Sequence, residues 1–210
     1  ASIAHEIRNP LNAISHASQL LQESEELNEE DKRLCDIIIN HGNRMDKIIK
    51  NVLQISRRNT SEAQWIQLNQ WVEKFINDFK LQHDVPIEFK GIELNIRFDP
   101  SQLHQVLWNL CSNAVRHGKV DEDSPIEIRL GKINQRPFLA IEDNGHGIPK
   151  QEINFLYEPF HTTSAQGTGL GLYLVKELCE ANHAEIRYQS KTNKGACFEI
   201  LFARDYANTK

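Results

Sequence analysis

Apolar residues in the first quarter of the chain recur with a helical period. Ile3, Ile7, Pro10, Ile14, Ala17 and Leu21 are spaced four and three apart along one seam. Leu34, Ile38, His41, Met45, Ile48, Val52 and Ile55 repeat the spacing over three heptads, and Ile37 and Ile49 widen the stripe. The pattern predicts two helices. The acidic stretch ESEELNEED, residues 23–31, suits the turn between them. Two helices alone bury little surface, so the hairpin is expected to dimerise into a four-helix bundle, with His41 in its core or interface.

The period changes after SRRNTSEA, residues 56–63. The reading is a helical domain over 1–58, a linker over 59–63 and a second domain over 64–210. In the second domain, WIQLNQWVEKFINDFKLQH reads as a short strand and a helix with Trp71, Phe75, Ile76 and Phe79 on one side. VPIEFKGIELNIRFD alternates like two paired strands bending near Gly91. A helix is expected from Pro100 to a stop at Gly118, its apolar side carrying Leu103, Leu107, Leu110 and Ala114. PIEIRLGKI and RPFLAIEDNG form a further strand pair, GLGLYLVKELCEANH a helix, and AEIRYQS with ACFEILFA a closing hairpin around Lys194–Gly195. The fold class is therefore two domains: an all-α hairpin, then an α/β layer with helices on one face of a mixed, largely antiparallel sheet.

Composition narrows the function. The net charge is −5 and the pI about 6.0 over 210 residues, which argues against a nucleic-acid partner. No apolar run approaches the ~18 residues of a membrane span, and no signal peptide is visible. Cys35, Cys111, Cys179 and Cys197 are scattered without a CxxC pair. Neither a zinc site nor a disulfide framework is expected, and a reducing, cytoplasmic setting is the simplest reading.

His5 advances about 200° around the helix from Ile3, away from the apolar seam, and Asn9 shares its face one turn on. Glu6 beside it can take the proton of one imidazole nitrogen, leaving the other a better nucleophile. Pro10 removes the hydrogen bond that would reach back to Glu6. Taken alone, His5 fits a solvated surface histidine as well.

Four later patches add chemistry. Asn109 and Asn113 lie one turn apart, and their amide oxygens suit Mg²⁺, although two solvated polar residues would look the same. Asp143 at a strand end precedes Gly145 and Gly147. The carboxylate can accept from an exocyclic amine and the glycines permit close approach of a ligand, or the stretch is only a turn. FLYEPFHTT, residues 155–163, is an aromatic-rich entry to a loop. GTGLGL, residues 167–172, opens a helix whose N-terminus suits phosphate, or else is a flexible loop; no GK[ST] follows, so it is not a Walker loop.

In this order the patches resemble the sensor histidine kinases of two-component signalling. SIAHEIRNPLNAI is similar to their H box, NLCSNAVRH to the N box, EDNGHGIP to the G1 box, FLYEPF to the F box and GTGLGL to the G2 box. The H box also resembles the nitrogen-regulation and type IV pilus sensors. The resemblance covers essentially the whole chain. It implies a dimerisation and phosphotransfer hairpin followed by a Bergerat-type ATP-binding sandwich.

It further implies that His5 accepts the γ-phosphoryl group of ATP, with Glu6 as acid/base and Asn9 orienting water for dephosphorylation of a partner. Asn109 and Asn113 would hold Mg²⁺ and phosphates, and Asp143 would read adenine. His117, Gly145, Gly147, Phe160, Thr163, Gly167, Thr168, Gly169, Leu170 and Gly171 would frame the nucleotide, with the segment between Gly147 and Gly167 as a mobile lid. The implied partners are a second copy of the chain and the receiver domain of a response regulator, whose aspartate takes the phosphoryl group. Membrane attachment would come only through segments upstream of this sequence, anchoring the full-length protein in the bacterial inner membrane. Ser164 stands where many relatives carry Lys after the Thr-Thr pair, so the resemblance does not carry a phosphate contact over to this position. The competing class is an ATP-hydrolysing clamp of the chaperone and mismatch-repair type, which carries a water-activating glutamate where this chain has Asn109 and has no His5 hairpin.

Overall fold

Helix α1 (Ser2–Gln22) and helix α2 (Glu29–Ser56) form a hairpin in the computed structural model, which describes residues 2–24, 27–56, 62–164, 167–190 and 195–204. Helix α1 runs unbroken through Pro10. The two helices meet along a seam different from the apolar one. Leu11, Ser18, Cys35 and Gly42 are buried there, and a Cβ on Gly42 would collide with Ser15 Oγ. Polar ties close both ends: Arg8 Nε donates to Asp46 Oδ1 at 2.7 Å, and Gln22 Nε2 to Asp36 Oδ1 at 2.6 Å. Arg8, Leu11, Ser15, Ser18 and Gln22 keep heptad spacing one position round from Ile7, Ile14 and Leu21. The strongly apolar stripes therefore point outward: Ile14 is 52% exposed, Leu34 57% and Ile38 42%. His41 is exposed as well.

The chain divides into two compact units: Ala1–Arg57 with Pro159–Leu170, and Arg58–Glu158 with Gly171–Lys210. The second begins with β1 (Gln64–Gln67) and α3 (Leu68–Lys80), whose Leu68, Val72, Phe75, Ile76 and Phe79 are buried. Strands β2 (Ile87–Lys90) and β3 (Asn95–Phe98) follow, then α4 (Pro100–His117), β4 (Ile126–Ile133), β5 (Arg136–Glu142), α5 (Gly171–Ala181), β6 (Glu185–Ser190) and β7 (Ala196–Leu201).

The main sheet has the order β2-β4-β5-β7-β6, antiparallel except for the parallel β2–β4 pair. Asn134 and Gln135, both with positive φ, make the two-residue turn that fits the right-handed twist of the β4–β5 hairpin. The β6–β7 hairpin forms, with the turn residues 191–194 outside the described ones.

β2 and β3 do not pair with each other, against the expectation from their alternation. β3 pairs antiparallel with β1 in a separate two-stranded sheet, and β2 joins β4. The cause lies in residues 91–94. The Leu94 carbonyl accepts from Leu68 N–H, and Leu94 N–H donates to Asn69 Oδ1, so the chain is captured at the start of α3 before β3 begins. Gly91 meanwhile packs against Leu130 of β4. Alternation reports which face a strand buries, not which neighbour it takes.

Helix α4 is seated by a buried polar group as well as by its apolar side. Asp99 Oδ1 accepts from Ser101 N–H, Ser101 Oγ and Gln102 N–H, and Oδ2 accepts from Glu62 N–H. Asp99 N–H donates to Asn182 Oδ1, and Asn182 Nδ2 donates to Gln102 Oε1 and to the Leu178 carbonyl. One carboxylate and one amide thus join the residue that enters β1, the start of α4 and the end of α5. Burial works to raise the Asp99 pKa, but the hydrogen bonds from Ser101, Glu62 and Gln102 outweigh it and hold the carboxyl below its ordinary value.

Losing this cap leaves several part-buried donors unpaired, each costing about 1–3 kcal/mol at most when left unmade. Asp99→Ala should therefore lower unfolding free energy by roughly 2–4 kcal/mol, read from denaturant curves of unchanged slope. Because the folded pKa is depressed, the ionised cap stabilises above the unfolded value near pH ~4 and fades as pH falls through the lower folded value. The gap between parent and variant should narrow over that acid range.

Candidate functional site

The C-terminal half of α4 faces the turn after β5. Asp143 is buried, and its Oδ1 accepts from Gly145 N–H at 2.8 Å and Ala196 N–H at 3.2 Å. Its backbone N–H donates to the Ala196 carbonyl, so two hydrogen bonds with Ala196 fix the residue against β7. A Cβ on Gly145 would collide with the His117 carbonyl and lie 2.7 Å from Gly118 Cα. The end of α4 can rest on the Asp143–Gly145 turn only because that side chain is missing. Gly147 has φ +69°, and a Cβ there would stand 2.8 Å from the Gly195 carbonyl. Both glycines make room for protein backbone.

Asn109 and Asn113 lie one turn apart on α4, half-buried. The side-chain Nδ2 of Asn109 is fully buried and has no hydrogen-bond partner. Its Oδ1 lies 3.8 Å from where a Cβ of Gly171 would sit, which brings Asn109 to the N-terminus of α5. The free N–H groups and positive dipole end of that helix attract anions. An orphaned amide beside a helix N-terminus, with an acidic side chain on the neighbouring turn, fits a phosphate-bearing ligand with a metal ion held through amide oxygen.

His117 is exposed at the end of α4. Partial burial of its ring and the nearby Arg116 push its imidazole below the ordinary value, with Asp143 opposing. Cys111, buried under the same helix, has its thiol pushed up to about 12 by burial and stays protonated as core filler. The buried Tyr157 hydroxyl also has no hydrogen-bond partner.

Phe160, Thr163, Gly167, Thr168, Gly169 and Leu170 fall in Pro159–Leu170, a loop closed on itself. Phe160 N–H donates to the Gly169 carbonyl at 2.9 Å, Gly167 N–H to the Ser164 carbonyl and Leu170 N–H to Thr168 Oγ1. Phe160 and Thr163 are exposed, while Gly167 and Leu170 are buried. His5, Glu6 and Asn9 lie along α1; Asn9 is exposed, and the side chains of His5 and Glu6 are outside the described ones.

Two residues of the site carried no earlier signal. Gly195, φ +103°, packs against the Asp143 carbonyl, although LysGly before a strand reads as an ordinary turn. Tyr188 Oη accepts from Ile148 N–H at 3.2 Å and fixes the chain just after Gly147, from a strand position that looks like any other aromatic. Among the described residues there is no group of three or more His, Cys, Asp or Glu side chains that could hold a metal. No described helix is long and apolar enough to cross a membrane.

Residues 98–205 match the family described as histidine kinase-, DNA gyrase B- and HSP90-like ATPase, and residues 1–61 match the His Kinase A (phospho-acceptor) domain. The sensor protein kinase PilS of Pseudomonas aeruginosa is 45% identical over 97% of this chain and 40% of its own length. Sporulation kinase A of Bacillus subtilis is 30% identical over 97% of this chain and 34% of its own length. The chain thus spans well under half of these relatives. Among solved structures, full-length ShkA in complex with AMPPNP superposes with a TM-score of 0.69 at 22% identity, covering 98% of this chain and 46% of that one. The histidine kinase AdeS of Acinetobacter baumannii gives 0.67 at 22% identity, covering 96% and 98%. At this identity the superpositions speak for the fold.

The orphaned amide makes a prediction about the free protein. Asn109→Leu keeps the branching of the side chain, with some added volume, and removes a buried donor that nothing satisfies, so thermal unfolding should show stability within about 1 kcal/mol of the parent. A loss of 2 kcal/mol or more would mean that the amide has a structural partner.

Proposed function

The chain belongs to the histidine kinases, having both their phospho-acceptor and their ATPase domains, and on that premise we propose that it autophosphorylates on His5 from ATP. The observation that carries the nucleotide half of this reading is the unsatisfied Asn109 Nδ2 near the N-terminus of α5, one turn from Asn113 on the helix whose end rests on the Asp143–Gly145 turn. Asn109 and Asn113 would hold Mg²⁺ and the phosphates, and the bound metal would supply neutralisation of charge on the transferring group. The Asp143 carboxylate, fixed by Gly145 and Ala196, would accept from the exocyclic amine of adenine. The segment between Gly147 and Gly167 would serve as the lid of the bound nucleotide.

An imidazole nitrogen of His5 attacks the γ-phosphorus. The P–N bond forms as the P–O bond to ADP breaks, ADP leaves with the bridging oxygen, and the imidazole gives up its N–H proton to Glu6. Asn9, exposed on α1, would orient water when a phosphorylated partner is hydrolysed. The phosphoryl group is destined for an aspartate of a response-regulator receiver domain, and the full-length protein would be membrane-anchored upstream of this segment.

Dimerisation is supported by the outward stripe of the hairpin, where Ile7, Ile14, Leu21, Leu34, Ile38, Met45 and Val52 are all exposed in the single chain. A stripe of this length and heptad spacing is the seam of a four-helix bundle. Ile14→Glu with Ile38→Glu should convert a dimer into a monomer in sedimentation equilibrium, and a parent chain that is already monomeric would refute the bundle.

Transfer of γ-³²P from Mg-ATP tests the function. The parent chain should take acid-labile label that is absent from His5→Gln, and Asn109→Leu should lose nucleotide affinity at least tenfold without losing stability. In the same assay Asn9→Ala should keep its label but dephosphorylate a phosphorylated regulator more slowly. ATP turnover that survives His5→Gln, without label in the parent, would instead favour the hydrolysing clamp.

A further inference from the structure

The seam between α1 and α2 changes character toward its open end. From Leu11 to Ser18 it holds apolar or small side chains, with Gly42 and Cys35 opposite. At Arg8 it becomes ionic. Arg8 Nε meets Asp46 Oδ1 at 2.7 Å, and Lys50 Nζ meets Asp46 Oδ2 at 2.6 Å. The side chains of Arg8 and Asp46 are only 25% and 22% exposed, so the pair is better shielded than a surface bridge. Both oxygens of Asp46 are engaged, one across the seam and one along α2.

Arg8 follows His5 by three residues, one helical turn. Pro10 has no N–H, so the Glu6 carbonyl lacks its α1 hydrogen bond, and that missing bond would have spanned the turn containing Arg8. The backbone is least tied where a phosphoryl acceptor must be held in one direction. A side chain from the other helix reaches into that turn and holds it.

We propose that Asp46 is a positioning residue for phosphoryl transfer: through Arg8 it fixes the turn that carries His5 against α2. The inference rests on His5 being the acceptor. Asp46 acts through Arg8 alone, and Lys50 keeps the second oxygen from competing for it. A displacement of about an ångström at a reacting group can cost up to about a hundredfold in rate, so a modest loosening is enough to register.

The full 210-residue chain is the test object. Asp46→Asn and Asp46→Arg should each slow autophosphorylation at saturating ATP by about tenfold, with the KM for ATP changed less than about twofold. Arg8→Asp combined with Asp46→Arg restores an ion pair of opposite polarity and should recover the rate to within about threefold of the parent. Independently of activity, amide hydrogen exchange in residues 2–10 should quicken in Asp46→Asn while residues 12–22 stay unchanged. A labelled parent with variants of parental rate and exchange overturns this inference and leaves the acceptor reading intact. So does a swap no faster than the worse single variant, or a KM that rises in step with the lost rate. A parent that takes no acid-labile label overturns the acceptor reading, and the role of Asp46 with it.

Discussion

The contact between the end of α4 and the turn after β5 is the constraint on which the candidate site depends. His117 and Gly118 rest on Gly145 at a distance that leaves no room for a side chain. This fixes Asp143 relative to Asn113 and Asn109, because all three hang from that one junction. Gly147 and Gly195 extend the same device, bringing β7 against the far side of the turn. Side-chain packing can relax by changing rotamer; backbone packed on backbone cannot, so a site framed in this way has little freedom to drift.

Helices α4 and α5 are treated oppositely at their two ends. At the start of α4 and the end of α5, Asp99, Gln102 and Asn182 satisfy one another and the backbone around them. At the start of α5, Asn109 presents a buried donor without a partner. One end is complete in the free protein, and the other leaves a buried donor unmet.

Much of the second unit was legible in its sequence. Pro100 and Gly118 bracket α4, the spacing from Leu103 to Ala114 fixes its inward side, and the β4–β5 and β6–β7 hairpins follow from alternation and turn residues. The partnership of β2 and β3 was not legible, because two hydrogen bonds to the start of α3 decide it and neither has a hydropathy signature. The hairpin misleads in another way. Its visible apolar stripes point outward, and the seam that joins its helices is written in Ser15, Ser18, Gly42, Arg8 and Asp46, which a hydrophobic pattern passes over. Within the site, Asn109, Asn113 and Asp143 stand out by residue type and spacing. Asp99, Asn182, Tyr188 and Gly195, which hold the framework around them, look ordinary until the chain is folded.

The two seams of α1 occupy neighbouring positions: 7, 14 and 21 for one, 8, 15 and 22 for the other. Adding one residue ahead of them in this helix rotates everything beyond it by about 100° and carries the outward apolar residues into the inward positions. Ile14 would then be driven toward Gly42, where there is no space for it, and Ser15 would be turned out to solvent. Insertions of seven residues restore the phase; shorter ones break it. The length of this helix is thus as tightly specified as its composition, and natural variation in it should come in whole heptads.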